Sequence, residues 1–217
     1  MSTEQTAPER TTHAERRPSA WRSWQLGIKR LADVVVSLAV LVLGWPLFLL
    51  VAVLVRLSSP GPVLFIQERV GKEEKPFRLV KFRSMLVSEE EDAETGWTEA
   101  HEARITPIGR LLRDYGLDEL SQAWNILKGE MSIIGPRPPL PAQVESFTER
   151  QRKMFLMRPG LLSLPGFKGR RSLPMEERIE LHVQYVEHWS LLLDFVILLR
   201  CIPVILRRQN VDERTTS

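Results

Sequence analysis

Asp118 and Glu119 open the segment LDELSQAWNILK at residues 117–128, and adjacent carboxylates can supply a nucleophile, a general base or a ligand for a hard cation. On a helix Asp118, Gln122 and Asn125 follow i, i+4, i+7 spacing and share a side, whereas Glu119 is turned about 100° away, which predicts separate jobs for the two acids. Acidic residues in a first helical turn also complement the macrodipole, a purely structural use, and the same helix end can attract an anion. Cations are offered elsewhere. Alternation along Lys81-Phe82-Arg83-Ser84-Met85 puts Lys81 and Arg83 on one strand face, as a two-cation anion site or as an ordinary solvated face. Arg137 stands between Pro136 and Pro138 after Gly135, in a loop that either presents a guanidinium to phosphate at low entropic cost or is a plain rigid linker. Residues 150–171 hold seven Lys or Arg and no carboxylate, which points to anionic partners.

These groups need elements to position them. Apolar residues at 117, 120, 123, 124 and 127 predict a helix over 117–128 with a core-facing stripe, ended by Gly129. Residues 63–70 and 76–85 read as two strands of a hairpin joined by Gly71-Lys72-Glu73-Glu74-Lys75. Residues 89–102 carry seven carboxylates without Lys or Arg and read as a solvated insertion. Residues 189–208 are apolar apart from interruptions such as Asp194, Arg200 and Pro203, the pattern of an interfacial helix in which Asp194 is either paired or functional.

Residues 34–55 form a run of 22 without a charge, long enough at about 33 Å to span a bilayer. Gly44, Trp45 and Pro46 interrupt its middle, and Pro46 cannot donate to the carbonyl of Val42. Each arm then reaches about 14 to 18 Å, one leaflet deep. Arg22, Lys29 and Arg30 precede the run and Arg56, Arg69 and Lys72 follow it, so both ends carry the charge expected of a cytoplasmic side. A re-entrant helix-break-helix is favoured over a kinked span. Trp21 and Trp24 beside those cations suit the headgroup region or a buried pair.

The chain of 217 residues is 43% apolar and 26% charged with a net charge of +3, values of an ordinary soluble domain that conceal the membrane-seeking run. Cys201 is the single cysteine, which excludes an intramolecular disulfide framework. His13, His101, His182 and His188 are scattered, without transition-metal spacing, and no phosphate loop, dinucleotide fingerprint or serine elbow is present. No nucleic-acid recognition motif accompanies the basic zones, so no nucleic-acid partner is expected.

Taken in order, Lys29-Arg30-Leu31-Ala32-Asp33, Ser59-Pro60-Gly61-Pro62, Gln67-Glu68-Arg69-Val70-Gly71, Lys81-Phe82-Arg83-Ser84-Met85, Leu117-Asp118-Glu119-Leu120 with Trp124-Asn125, Gly135-Pro136-Arg137-Pro138, Arg158-Pro159-Gly160 and Leu193-Asp194 carry a resemblance. Over residues 28–208 the chain resembles the monotopic phosphoglycosyl transferases of the bacterial sugar transferase family. It departs from their pattern at Gly116, where Ser or Thr often stands, and at residues 161–166, which replace a Thr-Gly-Trp stretch.

The resemblance implies an α+β fold: a re-entrant membrane helix at 21–57 broken at Pro46, and a mostly helical catalytic domain with a small hairpin and interfacial helices at 58–208. Polar tails at 1–20 and 209–217 flank them. It implies a UDP-sugar donor, a polyprenyl phosphate acceptor, Mg²⁺ at Asp118, and residence on the cytoplasmic face of the bacterial inner membrane. Carried onto these residues, Asp118 attacks the sugar-bearing phosphate and expels UMP, and Glu119 assists the acceptor step. Lys81, Arg83, Arg113, Arg137, Arg170 and Asp194 are then substrate-binding, with Arg113 one helical turn before Asp118 if that helix extends so far. The product starts glycoconjugate or exopolysaccharide assembly, and downstream glycosyltransferases or a homodimer partner are admitted. The competing reading is a non-catalytic membrane scaffold that holds anionic lipid or partner enzymes; adhesion does not need Asp118, Glu119 and Arg137 together.

Overall fold

A computed structural model describes residues 20–86, 103–166 and 173–206. The acidic stretch, Arg170 and the two polar tails lie outside the described residues. Helix α1 (Ala20–Leu43) and helix α2 (Trp45–Ser58) meet at Gly44 with a bend of 63°. Pro46 sits in the first turn of α2, where a missing N–H costs nothing. Among the described residues no single helix is long and apolar enough to cross a membrane; the bent pair is, by length and composition. Large apolar side chains are exposed along both arms, among them Val35, Leu38, Val42, Leu47, Leu50 and Val53.

The first arm is longer than the apolar run because α1 begins upstream of it, and this corrects the headgroup role expected for Lys29 and Arg30. Lys29 is buried and donates to the carbonyl of Ile134 at 2.8 Å. Arg30 donates to the carbonyls of Ile126 and Leu127 at 2.6 and 2.8 Å. Buried Asp33 accepts from the Ser132 hydroxyl and the Ile133 N–H at 3.1 and 2.9 Å. Successive turns of α1 therefore hold residues 126–134. Trp21 and Trp24 are exposed, with ring centroids 5.4 Å apart.

The expected hairpin forms from strands β1 (Leu64–Val70) and β2 (Pro76–Phe82), antiparallel from Leu64 opposite Phe82 to Val70 opposite Pro76. Its second strand is shorter than the sequence suggested. Arg83 leaves the sheet and buries itself against the end of α2, donating to the carbonyls of Ser59 and Pro60 at 2.7 and 3.0 Å. Lys81 and Arg83 therefore do not form a joint two-cation surface, because the carbonyls ending α2 and opening the next turn capture the guanidinium.

After helix α3 (Pro107–Asp114) the chain turns at Gly116, whose φ of +67° is left-handed and suits glycine better than the Ser or Thr expected of the family pattern. This break corrects the continuous helix that would have put Arg113 a turn before Asp118. Residues 117–128 divide into a 3₁₀ segment (Leu117–Gln122) and helix α4 (Ala123–Lys128), with Gly129 ending the latter at φ +87°.

The expected burial of this segment holds in part, with Ala123 buried and Leu117 packed against a core cluster, but it fails at Trp124. Its polar side, Asp118, Gln122 and Asn125, is buried, while Trp124 is 52% exposed. The reason is the edge of β2: Asn125 accepts from the Val80 N–H at 3.0 Å and donates to the carbonyl of Arg78 at 2.7 Å, and the Ser121 hydroxyl donates to the carbonyl of Val80 at 3.1 Å. Side-chain amides complete the strand edge, so the polar face turns inward.

A second, parallel pair joins strand β3 (Ser132–Ile134) to strand β4 (Gly160–Leu162). Gly135 and Gly160 cross back to back; a Cβ on Gly160 would lie 2.0 Å from the nitrogen of Gly135. The two loop motifs of the resemblance, whose glycines are 25 positions apart, thus meet because only glycine permits the approach. Between them lie the short helices α5 (Pro141–Val144) and α6 (Glu149–Arg152). Helices α7 (Met175–Glu187) and α8 (Leu191–Leu206) complete the described chain. α8 buries Asp194, Ile197 and Cys201 and exposes Leu192, Phe195 and Leu199 along one side.

Candidate active site

The 3₁₀ segment presents Asp118 and Glu119 beside the end of β2, where Lys81 lies with its ammonium 4.8 Å from the centroid of Phe65. Asp118 is only 7% exposed. Burial and the neighbouring Glu119 push its carboxyl up to about 6, against the opposing pull of Arg113 and Lys81. Burial lowers Lys81 to about 8, with Asp118 opposing and Arg69 and Arg113 reinforcing the shift. Although the backbone break removes Arg113 from the acid pair's helix, its charge still acts on Asp118.

Glu119 faces another way, as its register predicted, and accepts from the Arg137 guanidinium at 3.1 Å. The loop that carries Arg137 is held from both sides. Arg69 donates to the carbonyl of Pro138 at 3.1 Å and the Val70 N–H to that of Pro139 at 3.1 Å. On the other side the Gly160 N–H donates to the carbonyl of Pro136 at 2.8 Å. Rigid proline backbone and three anchored carbonyls fix the loop, and the ion pair with Glu119 holds its guanidinium beside the acid pair.

The site therefore gathers two carboxylates in unlike environments with cations from three elements: Lys81 of β2, Arg113 of α3 and Arg137 of the proline loop. Such a set can hold phosphates while a buried carboxylate attacks phosphorus. Among the described residues no cluster of three or more His, Cys, Asp and Glu could cage a metal. A two-carboxylate edge does fit Mg²⁺, which keeps its waters and shares substrate phosphates rather than occupying an all-protein cage.

Two expected site residues are placed differently. Asp194 is a buried acceptor for Lys29 at 2.7 Å, the Tyr185 hydroxyl at 2.7 Å and the Trp189 indole N–H at 3.1 Å. Its carboxylate is filled by donors from α1, α7 and the turn before α8, so the structure gives it a tethering role in place of substrate binding. Arg83 belongs to the end of α2, as described. Asn125 and Arg69 were not singled out as site residues, yet they fix β2 to the acid pair and the proline loop to β1.

A model of the bacterial sugar transferase family matches residues 24–208. EpsL of Bacillus subtilis (strain 168), described as an uncharacterized sugar transferase, is 36% identical over 186 residues, 86% of this chain and 91% of that protein. The exopolysaccharide production protein ExoY of Rhizobium meliloti (strain 1021) is 35% identical over 191 residues, 82% of this chain and 84% of that one. The UDP-glucose:undecaprenyl-phosphate glucose-1-phosphate transferase of Klebsiella pneumoniae is 38% identical over 178 residues, 78% of this chain and 38% of its own length. This chain thus spans most of the first two relatives and about two fifths of the third. The match runs through α1, the hairpin, the acid pair and α8 alike, and the chain belongs to the bacterial sugar transferase family, a family of phosphoglycosyl transferases.

Proposed function

We propose that the protein transfers a sugar 1-phosphate from a UDP-sugar to a polyprenyl phosphate, releasing UMP and forming a polyprenyl diphosphosugar that starts glycoconjugate or exopolysaccharide assembly. The observation that carries this reading is the buried Asp118 carboxylate, set between Glu119 and the charges of Lys81 and Arg113 in a chain with this family membership. Similarity to the Klebsiella pneumoniae enzyme supports the substrate classes.

In the first step an Asp118 oxygen bonds to the sugar-bearing phosphorus as the bond from that phosphorus to the bridging oxygen breaks, and UMP leaves with that oxygen. Lys81, Arg113 and Arg137 offset the repulsion between carboxylate and diphosphate. In the second step an acceptor phosphate oxygen attacks the same phosphorus, the acyl phosphate bond breaks, and Asp118 returns as carboxylate. Glu119 accepts the acceptor's proton. Mg²⁺, when bound at Asp118, supplies charge neutralisation at the phosphate oxygens. Release of UMP from a panel of UDP-sugars, with Mg²⁺ and polyprenyl phosphate, is the expected result; no release from any donor overturns the reading.

The bent pair is read as re-entrant in the cytoplasmic-side leaflet of the bacterial inner membrane. Its exposed apolar arms and the outward stripe Leu192, Phe195 and Leu199 of α8 support contact with lipid. A groove of about 510 Å³ in the crook of the bend is lined by Val36, Val40, Leu43, Phe48 and Leu120, the last adjacent in sequence to Glu119. In a Cys201→Ser background, single cysteines at Trp21 and Leu57 are both expected to label from the cytoplasmic side. Labelling from opposite sides would make the pair a kinked span.

A further inference from the structure

The part of α1 that precedes the uncharged run carries one exposed apolar seam. Trp21, Trp24, Ile28 and Leu31 alternate three and four residues apart, which gathers them within an arc of about 80° on the helix. Each is between 37% and 67% exposed. Val35, Leu38 and Val42 carry the same register into the run and are exposed as well. Gly27 flanks the row on one side and Ala32 and Ala39 on the other, all three exposed, and a Cβ added to Gly27 would meet nothing within 4 Å. Large side chains in heptad register with small ones beside them make knobs and holes on a single surface.

Charge decides what covers the seam. A helix seated among headgroups keeps basic side chains beside its apolar row to reach anionic lipid. The three cations of residues 20–33 are engaged elsewhere: Arg22 donates to the carbonyl of Val186 at 3.1 Å, Lys29 to that of Ile134 and to Asp194, and Arg30 to those of Ile126 and Leu127. The positions bordering the seam, Gln25, Gly27, Ala32 and Val34, carry no charge, so an identical helix meets no like-charge repulsion there. Residues 1–19 contain no Val, Ile, Leu, Phe, Trp or Tyr with which to fill the seam from within the chain. The whole row exposes on the order of 800 Å², the share of one partner in an interface of standard size.

We propose that α1 pairs with α1 of a second copy of this chain along the seam, as a parallel two-stranded coil. Two copies in one membrane have α1 running the same way, so a twofold axis relates them and each seam residue meets its own counterpart. The face of α1 that holds residues 126–134, marked by buried Lys29, Asp33 and Ser37, lies opposite the seam, so neither catalytic part obstructs the approach. In the outer half, removal of Trp21, Trp24, Ile28 and Leu31 from water drives the pairing. Within the bilayer, where lipid is as apolar as the side chains, the small flank at Ala39 contributes close packing instead. The inference does not depend on the transferase reading.

The test uses the full chain in phospholipid vesicles at a low protein-to-lipid ratio, with single cysteines in a Cys201→Ser background. Ile28→Cys and Leu31→Cys are expected to form disulfides between copies at least about fivefold faster than Ser23→Cys, which is exposed but lies about 120° around the helix from the middle of the seam. Energy transfer between labelled copies, followed as lipid dilutes them, then gives the dimer dissociation constant. Ile28→Glu is expected to raise that constant about tenfold or more, and Trp24→Glu serves as the second variant should the first insert poorly; both positions are exposed, so unfolding midpoints should match wild type. Equal cross-linking at Ser23 and Leu31, with energy transfer no greater than that of randomly placed monomers, overturns the proposal and returns the seam to lipid. Cross-links to a protein of different mass, or a dimer that both glutamates leave intact, overturn it too. UMP release is no part of the readout, so failure of the transferase reading leaves the result unchanged.

Discussion

Asp118→Asn is expected to reduce UMP release by at least about a thousandfold, because the substitution removes the attacking oxyanion while preserving shape. The fold should not suffer. Burial and Glu119 already disfavour the ionised carboxylate, which is why its proton is held up to about 6. A neutral amide relieves that cost, so the variant's thermal unfolding midpoint should equal or exceed that of wild type. Loss of activity at retained stability separates a chemical role from a structural one. Turnover within tenfold of wild type, assayed with the same donor and Mg²⁺, would remove Asp118 from the mechanism and leave the covalent intermediate without a nucleophile.

The largest loss of stability is expected at Asp194. Asp194→Leu strands the Lys29 ammonium, the Tyr185 hydroxyl and the Trp189 N–H in a buried place, and removing one member of such a pair costs about 3–5 kcal/mol. Combining it with Lys29→Met should recover part of the loss, since the uncompensated charge goes too. Unfolding midpoints of the two single variants and the double variant in one detergent measure this directly. A substrate-binding Asp194 would behave otherwise: KM would rise, the unfolding midpoint would hold, and Lys29→Met would rescue nothing.

Legibility from sequence followed the range of the physics. The bend at Gly44 and Pro46, the hairpin and the helix end at Gly129 were readable because turn chemistry and hydrophobic period act within a few residues. The separation of Asp118 from Glu119 was readable for the same reason. The burial of the polar side of residues 117–128 was not, because the open edge of β2 that decides it lies some 40 residues earlier. Lys29 and Arg30 read as headgroup residues for want of any local sign that carbonyls 100 residues away would need them. His182 looked like one of several scattered histidines. Its burial beside Ile179 and Val183 comes only from the packing of α7.

The grip of α1 on residues 126–134 makes that helix a ruler. From Asp33 to the bend at Gly44 is 11 residues of helix, about 16 Å at the usual rise, and residues 126–134 directly follow the acid-bearing segment. The placement of the acid-bearing segment relative to the bend is thereby set by helix geometry and buried hydrogen bonds. A six-residue α4 is also too short to persist by itself, so the acid-bearing segment owes its order to its bonds with α1 and with the edge of β2. Helix α1 and residues 126–134 are therefore expected to unfold as one unit.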